Sequence, residues 1–330
     1  MSFERAAHHV VPAAPETIHW GFFDAALAPV CTVKSGDSVT IHTISGGPDH
    51  LPSGSFAILP EHPKVLAALK PKLGLHILTG PVAVEGAEPG DMLEVRIERI
   101  ELRQDWGWNL MKPLYGALPE DFPFERLVHI PLDSDRMTAK LPWGTELPLA
   151  PFFGVMGVAP PPVYGPISTI EPREHGGNID NKELVSGTTL FLPVWAKGAL
   201  FSAGDGHAAQ GDGEVNLTAI ETALSGTFRL ILHKGNGLTF PRAATDTHFI
   251  AMGLNADLDD AATQALRQMI RWIGELSGLS AEDAYMLCSL ACDLRVTQLV
   301  DGNKGVHAML AKSLLPNHKP YPPQDAAHPT

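Results

Sequence analysis

The residues best suited to chemistry are concentrated in one stretch, 167–216, which contains two glycine-rich segments. The first, HGGNID, places His175, Asn178 and Asp180 within six residues. Its glycines allow the backbone to turn tightly and to approach a ligand closely. The second, DGHAAQGDGE, again joins a carboxylate to an imidazole. Imidazole, amide and carboxylate groups in this combination predict a site for metal-assisted hydrolysis.

The spacing in the second segment indicates which side chains act together. In an extended strand, residues two apart point the same way, so Asp205 and His207 could converge on one ion. Gln210, Asp212 and Glu214 continue the two-residue spacing. Neutral imidazole suits zinc and related metals, whereas carboxylate and amide oxygens alone suit calcium. The mixture favours zinc and leaves calcium or another divalent ion open.

Two upstream residues are further candidates. His76 comes shortly before a Thr-Gly-Pro turn, and Glu85 comes directly before a glycine. The competing explanation is structural, because Gly-Asp and Gly-Asn pairs commonly form turns in which the side chain bonds its own backbone. That explanation suffices for the isolated pairs at 36–37 and 90–91. Only in 167–216 do histidine and carboxylate occur together twice.

Composition and charge restrict the class of protein. The chain has 330 residues, is 44% hydrophobic and 18% charged, and has a net charge of -13, which disfavours nucleic acid or an anionic membrane as partner. It has no apolar run of about 18 residues and no secretory leader pattern, so we expect a cytoplasmic protein with a small-molecule ligand. Nucleophile-elbow, P-loop and HExxH motifs are missing from the sequence.

Glycine and proline, with 31 and 29 residues, favour many short strands joined by tight turns. Alternating apolar residues predict strands at 39–44 and 91–102, and a third at 227–233. We therefore expect a mainly β (α+β) fold, built as a sandwich or barrel over residues 1–255.

Three regions depart from this pattern. Proline removes ladder hydrogen bonds, so much of 104–165 is predicted to be loop or edge strand. Its many aromatic residues would either form a pocket wall or pack as ordinary core under long loops. Residues 256–315 are predicted to be helical and packed on the body, with one helix at 257–276 and a second begun by Ser280. The last segment, 316–330, is predicted to be an extended tail.

The string HGGNIDNKELVSGTTLFLPVWAKGALFSAGDGHAAQGDGEV closely resembles the acetamidase/formamidase family. The strings LTGPVAVEGAEPGD, IHWGFFDAALAPVCTVKSGD and AYMLCSLACDLRVTQLVDGNKGVHAML are similar to other parts of that family. The resemblance covers nearly the whole chain and is least in 104–165. It implies a jelly-roll-like body with smaller α/β elements, a metal-containing site, and an often homo-oligomeric hydrolase of small amides. Some relatives act on cyclic amides such as γ-lactams.

Taken with the resemblance, the residues predict amide hydrolysis by metal-activated water. The expected metal ligands are His76, His175, Asp180, Asp205 and His207. Glu214 or Glu85 would be the general base, and Asn178 or Gln210 would help to stabilise the oxyanion. The alternative of another class is a binding module without catalysis, in which a jelly-roll body holds structural calcium and binds a sugar or small amide.

Overall fold

The computed structural model describes residues 6–322, and most of this part of the chain is extended. Three α-helices interrupt the strands: α1 His62–Ala68, α2 Leu258–Ser277 and α3 Ala281–Ala291. The strands are β1 His8–Val11, β2 Ile18–Trp20, β3 Phe22–Phe23, β4 Cys31–Val33, β5 Ser38–His42, β6 Ile77–Val84, β7 Met92–Leu102, β8 Trp106–Met111, β9 Arg126–Asp133, β10 Thr138–Lys140, β11 Glu146–Pro148, β12 Phe152–Gly157, β13 Ile167–Ser168, β14 Gly176–Asn178, β15 Thr189–Pro193, β16 Phe201–His207, β17 Glu221–Thr222, β18 Leu224–His233, β19 Arg242–Ala244, β20 His248–Asn255, β21 Cys292–Gln298 and β22 Lys304–Ala311.

The strands form two large sheets. The first has nine strands in the order β1-β5-β18-β7-β15-β19-β20-β22-β21, with only β1 and β5 parallel. The second has eleven, with the path β11-β10-β9-β8-β17-β16-β12-β14 and with β6 joining β2 and β4 to β16. Strand β16 therefore pairs with three neighbours, β6, β12 and β17, which places it at the centre of the second sheet.

Apolar side chains from both sheets meet in one core. Phe228 of β18, in the first sheet, packs against Phe153 of β12 and Phe201 of β16 in the second, with ring centroids 5.5 and 5.4 Å apart. All three rings are fully buried. Burial of each such side chain is worth about 1.5–3 kcal/mol, so this contact between sheets contributes substantially to stability. The prediction of a mainly β, α+β fold is confirmed; its jelly-roll description stays a prediction.

The predicted strands at 39–44, 91–102 and 227–233 correspond to β5, β7 and β18. One detail departs from simple alternation: Glu94 of β7 lies between the inward-facing Leu93 and Val95, yet it is only 3% exposed. Arg96 Nε lies 2.5 Å from one of its carboxylate oxygens, and His233 Nε2 lies 2.6 Å from the other. These ion pairs cover a position that alternation alone assigns to the surface.

Residues 104–165 were predicted to be largely loop or edge strand, and five strands, β8 to β12, lie among their loops. Strand β12 departs most from the prediction, because it is buried along its whole length between β14 and β16. Pro131 and Pro148 lie in β9 and β11, at or close to the edge of the sheet, where ladder donors are dispensable. The aromatic residues divide accordingly: Trp106 is fully buried, whereas Trp143 is 69% exposed.

The C-terminal part contains both predicted helices. Asp257 caps α2 by accepting hydrogen bonds from the amides of Asp259 and Asp260, and Ser280 caps α3 through Asp283 N at 3.0 Å. The description of 256–315 as helical is nevertheless incomplete. Strands β21 and β22 extend the nine-stranded sheet beyond β20, and α2 packs on them. Because β21 follows α3 without an intervening residue, no proline or glycine marks the change of structure.

Of the predicted tail, residues 316–322 are described and 323–330 lie outside the described residues. The described portion is not free of the body. The ring of Tyr321 lies 4.9 Å from that of Phe191 and 5.1 Å from that of Trp272. Within residues 6–322, no helix has the length and apolar character needed to cross a membrane.

Close contact between α2 and β20 depends on Gly253. A Cβ at this position would overlap the backbone carbonyl oxygen of Ala261 and lie 2.6 Å from Ala265 N. We expect Gly253→Ala to destabilise the fold by about 1–3 kcal/mol, as overpacking of a core does. Gly274→Ala is the matched control, since its Cβ meets nothing closer than 3.5 Å and α2 should gain about 0.5–1 kcal/mol. Urea unfolding of both variants measures the difference, and equal midpoints would contradict it.

Candidate functional site

Acidic and imidazole side chains converge in one buried cluster. Within residues 6–322, three groups of three residues could each bind a metal ion, and the groups share members. In each group, the potential ligand atoms all lie within 4.8 Å of one another. We call the combined set the carboxylate cluster. It consists of Asp180, Asp205, His207, Glu214, Glu221 and Asp301.

Three neighbouring strands bring part of the cluster together over a glycine. On β12, Gly154 lies between β14, which leads to Asp180, and β16, which carries Asp205 and His207. The amide of Asp180 donates to the carbonyl of Gly154 at 3.1 Å. A Cβ on Gly154 would lie 2.6 Å from Asp205 Oδ2 and closer still to Asp180 Oδ1. The missing side chain therefore leaves the space in which these carboxylates meet.

The backbone is strained at three carboxylate positions. Asp180, Asp205 and Glu214 have φ angles of 50°, 56° and 46°, in the left-handed region that non-glycine residues rarely adopt. Such conformations cost on the order of 1–3 kcal/mol each and are concentrated at functional sites. The strand β16 and the loops that carry Asp180 and Glu214 thus orient all three side chains in directions that regular strand geometry would not give.

Two further acids of the cluster lie outside the strands. Asp301 lies in the turn after β21, and Glu214 lies in a loop that is hydrogen-bonded to β21. Gly213 N donates to Thr297 O at 3.1 Å, which attaches the loop carrying Glu214 to β21. The side-chain oxygen of the fully buried Gln298 accepts hydrogen bonds from the amide of Asp301, at 3.2 Å, and from that of Val300. This turn brings Asp301 to Asp180, more than a hundred residues earlier in the chain.

Hydrogen bonds orient the imidazole of His207. Its Nδ1 donates to Gln210 Oε1 at 2.9 Å, and Gln210 Nε2 donates to the carbonyl of Asp180 at 2.9 Å. His207 Nε2 lies 3.2 Å from Asp205 Oδ2 and 3.2 Å from Glu221 Oε1. Neither of these contacts has hydrogen-bond alignment. The ring therefore presents Nε2 to the interior of the cluster, as a metal-ligating histidine does.

Burial raises the pKa of most of the acids. It raises the pKa of Glu221 to about 7, with the charge of Asp205 adding to the effect. The pKa values of Glu214 and Asp301 are well above their usual range because of burial and then the charge of Asp180. Burial also raises the pKa of Asp180 itself. Removing these carboxylates from water thus favours their protonated forms, unless a cation compensates their charge.

For the two remaining members, His207 and Asp205, the effect of neighbouring charges on the pKa outweighs that of burial. Burial alone would lower the pKa of His207, but the charges of Glu221 and Asp205 raise it well above the usual value. Burial alone would raise the pKa of Asp205, but the charges of His76 and His207 lower it. Both pKa shifts indicate that positive charge next to the carboxylates stabilises their ionised forms.

The polar atoms of the cluster fit a divalent cation. Within the described chain, both carboxylate oxygens of Asp180, Glu221 Oε2, Asp301 Oδ2 and His207 Nε2 are buried without an aligned hydrogen-bond partner. Asp301 could bond Asp180 only by keeping its acid proton. Oxygen and imidazole nitrogen donors together are typical of zinc and similar transition metals, and a divalent ion would satisfy several of these atoms at once.

The structure brings most of the sequence candidates together. Asp180, Asp205, His207 and Glu214 belong to the cluster. His76 stands at its edge: Nε2 lies 3.9 Å from Asp205 Oδ2, and Nδ1 lies 3.0 Å from the hydroxyl of Thr169. The amide of Gln210, expected near the oxyanion, is instead engaged on both sides in holding His207 and Asp180; its role in catalysis stays a prediction.

Three other candidates lie outside the cluster. Glu85 is exposed in the turn after β6, at the opposite end of that strand from His76. His175 is buried against Phe23 with ring centroids 4.9 Å apart, and burial, followed by the charge of Arg173, lowers its pKa to about 3. Asn178 donates to a backbone carbonyl at 3.3 Å, and its side-chain oxygen has no partner within the described residues.

Sequence reasoning missed Glu221, Asp301 and Gly154. Glu221 lies in an apolar stretch without glycine or histidine nearby, and no local signal marks it. Asp301 is the first residue of an Asp-Gly-Asn sequence, which ordinarily indicates only a turn of the backbone. Its place in the string that resembles the amidase family was the one available signal.

The fold and the candidate site are those of a two-sheet β protein in which carboxylates and a histidine that could bind a divalent ion lie close together. The chain belongs to the acetamidase/formamidase family, whose profile matches residues 19–163 and 165–316.

Individual proteins similar to this chain support its assignment to the family. An acetamidase structure from Bacillus halodurans is 34% identical, covers 92% of this chain and 98% of its own, and has a TM-score of 0.81. A formamidase from Methylophilus methylotrophus is 29% identical over 45% of this chain and 49% of its own. The chain spans about half the length of the curated relatives it matches. A γ-lactamase from Delftia acidovorans, 24% identical over 92% of this chain and 90% of its own, with a TM-score of 0.60, shares the fold.

Gly154→Ala tests whether the space beside β12 is needed. Its Cβ would enter the region between Asp180 and Asp205 while touching no strand backbone among its nearest neighbours. We expect bound divalent metal, measured by elemental analysis after dialysis, to fall about tenfold or more, with thermal stability little changed. Gly211→Ala is the control, since its Cβ meets open space. Equal metal content in the two variants would contradict the assignment.

Proposed function

We propose that this protein hydrolyses the carbon-nitrogen bond of a small amide to a carboxylate and ammonia, with a divalent ion, zinc being favoured, held in the carboxylate cluster. The observation that carries the proposal is the meeting of Asp180, Asp205 and His207 around the space left by Gly154. Membership of a family that includes an acetamidase and a formamidase supports the choice of reaction.

Three residues would hold the ion. Asp180 and Asp205 each offer a carboxylate oxygen, and His207 offers Nε2, whose ring is fixed by the Gln210 hydrogen bond. Three protein ligands that leave a position for water are typical of catalytic zinc. When bound, such an ion lowers the pKa of a coordinated water from about 16 to near 7 and polarises a substrate carbonyl.

Differences in the exposure of the side chains at the cluster support entry of the substrate from one side. Asp205 is 14% exposed and His76 is 18% exposed, whereas Asp180, His207 and Glu221 are each exposed by 4% or less. An amide would therefore reach the cluster past His76, whose ring is held by the hydroxyl of Thr169. The closed remainder excludes bulk water from the reacting atoms.

We assign proton transfer to Glu214, a carboxylate on the buried side of the cluster. Glu214 lies in two of the three ligand groups, beside His207 and Asp180, so its carboxylate can take a proton from the attacking water. It would then deliver that proton to the leaving nitrogen, which departs as ammonia. General acid-base catalysis of this kind contributes about two to four orders of magnitude in rate.

An amide panel distinguishes the proposed reaction from its rivals. We expect ammonia from formamide, acetamide or propionamide, loss of turnover after dialysis against a chelator, and recovery on adding zinc. Ring opening of γ-lactams without ammonia release from linear amides would favour the cyclic-amide alternative. Ligand binding without any turnover would favour the binding module with structural calcium. Full activity in a preparation verified to be metal-free would exclude the metal-dependent mechanism.

Paired glutamate variants test the proton-transfer role. Glu214→Gln keeps the size of the side chain and removes its basicity, so kcat should fall by about 10²–10⁴. Glu85→Gln makes the same chemical change at the exposed end of β6 and should leave kcat within a factor of about two, as surface changes usually do. Steady-state ammonia assays with zinc-loaded protein measure both. A Glu214→Gln enzyme as active as Glu85→Gln would remove Glu214 from the mechanism.

A further inference from the structure

A cavity of about 590 Å³ shares no lining residue with the carboxylate cluster. The chain between β18 and β19, the last turns of α2, and the segment before Tyr321 enclose it. Its volume falls within the range of about 300–1,000 Å³ that is usual for sites of small metabolites. The cavity is therefore large enough for a ligand of its own.

Positively charged side chains outnumber acidic ones in the lining of the cavity, although the protein as a whole is acidic. Three cationic side chains, Arg242, Arg271 and Lys319, line it together with one carboxylate, that of Glu275. Arg242 Nη1 donates to Glu275 Oε2 at 2.8 Å. Within residues 6–322, Arg271 and Lys319 have no acidic partner. Two positive charges thus remain uncompensated at one place in a chain whose net charge is -13.

Arg242 is held rigidly in the cavity wall. Its guanidinium carbon lies 4.9 Å from the ring centroid of Trp272 and 5.3 Å from that of Tyr321. The side chain is 9% exposed, and beyond the bond to Glu275 its guanidinium makes no other hydrogen bond in the described part of the chain. A guanidinium fixed by aromatic rings is pre-organised, so less conformational entropy is lost when it binds an anion.

We propose that this cavity binds a small organic dianion, either a phosphate monoester or a dicarboxylate. Two uncompensated cations beside a fixed guanidinium match a ligand with two negative charges, and charge-assisted hydrogen bonds to such groups are among the strongest in proteins. A neutral amide offers no charge for these residues to bind. The ligand of this cavity is therefore chemically different from a substrate of the carboxylate cluster.

Calorimetric titration of the full-length, metal-loaded protein tests the site, with adenosine monophosphate, succinate and uncharged adenosine as probes. We expect one or both dianions to bind and adenosine not to bind. Binding of the nucleotide alone identifies a phosphate ester, and binding of succinate alone identifies a dicarboxylate. Absence of binding by both dianions at millimolar concentration, or equal binding of adenosine, would overturn the proposal.

A charge-matched pair of variants locates the binding. Arg271→Ala with Lys319→Ala removes the two uncompensated cations, which are exposed and whose loss should not unfold the chain. Lys64→Ala with Lys140→Ala removes the same charge from exposed positions on α1 and β10. The first pair should weaken dianion binding about tenfold or more, or 1.4 kcal/mol, and the second should leave it nearly unchanged. Equal affinities for the two variants would refute the assigned site, and circular dichroism checks that both are folded.

Discussion

Five carboxylates, four of them buried, lie around one imidazole and repel one another, and the geometry of the site must overcome that repulsion. Like charges in a poorly solvated interior interact far more strongly than in water, and each carboxylate also loses its hydration. The raised pKa values of Glu214, Glu221 and Asp301 express this cost. Either protons or a cation must relieve it. The fold holds the acids together against their repulsion, and a divalent ion bound among them would relieve it.

The fold meets this requirement by placing the acids at the most constrained part of a sheet. Strand β16 pairs with three other strands, and its neighbour β12 contributes a glycine where the acids need space. Asp205 lies in β16, whereas Asp180 and Glu214 lie in loops that are hydrogen-bonded to β12 and β21. These attachments to the sheets maintain the positive φ angles of all three residues. The two-sheet architecture therefore serves the chemistry as well as stability.

The carboxylate cluster and the cavity around Arg242 have opposite electrostatic character. The cluster is acidic, whereas cationic side chains outnumber acidic ones in the cavity, and the elements that build them are largely different. Tyr321 lines the cavity and also packs on Phe191 of β15, so residues near the end of the described chain complete a wall of the body. One chain can thereby present two sites that do not compete for ligands.

Local sequence pattern determined the mainly β class, strands such as β7 and β18, the capped helices, and the concentration of imidazole and carboxylate in 167–216. It could do so because side-chain periodicity and turn chemistry depend on near neighbours. Only the tertiary arrangement places Glu221 and Asp301 in the carboxylate cluster and leaves His175 and Glu85 outside it. Which distant side chains share one point depends on strand register and on the crossing of elements far apart in sequence, and no local pattern records these. The glycine-rich segments thus identified the site, and the sheets selected its members.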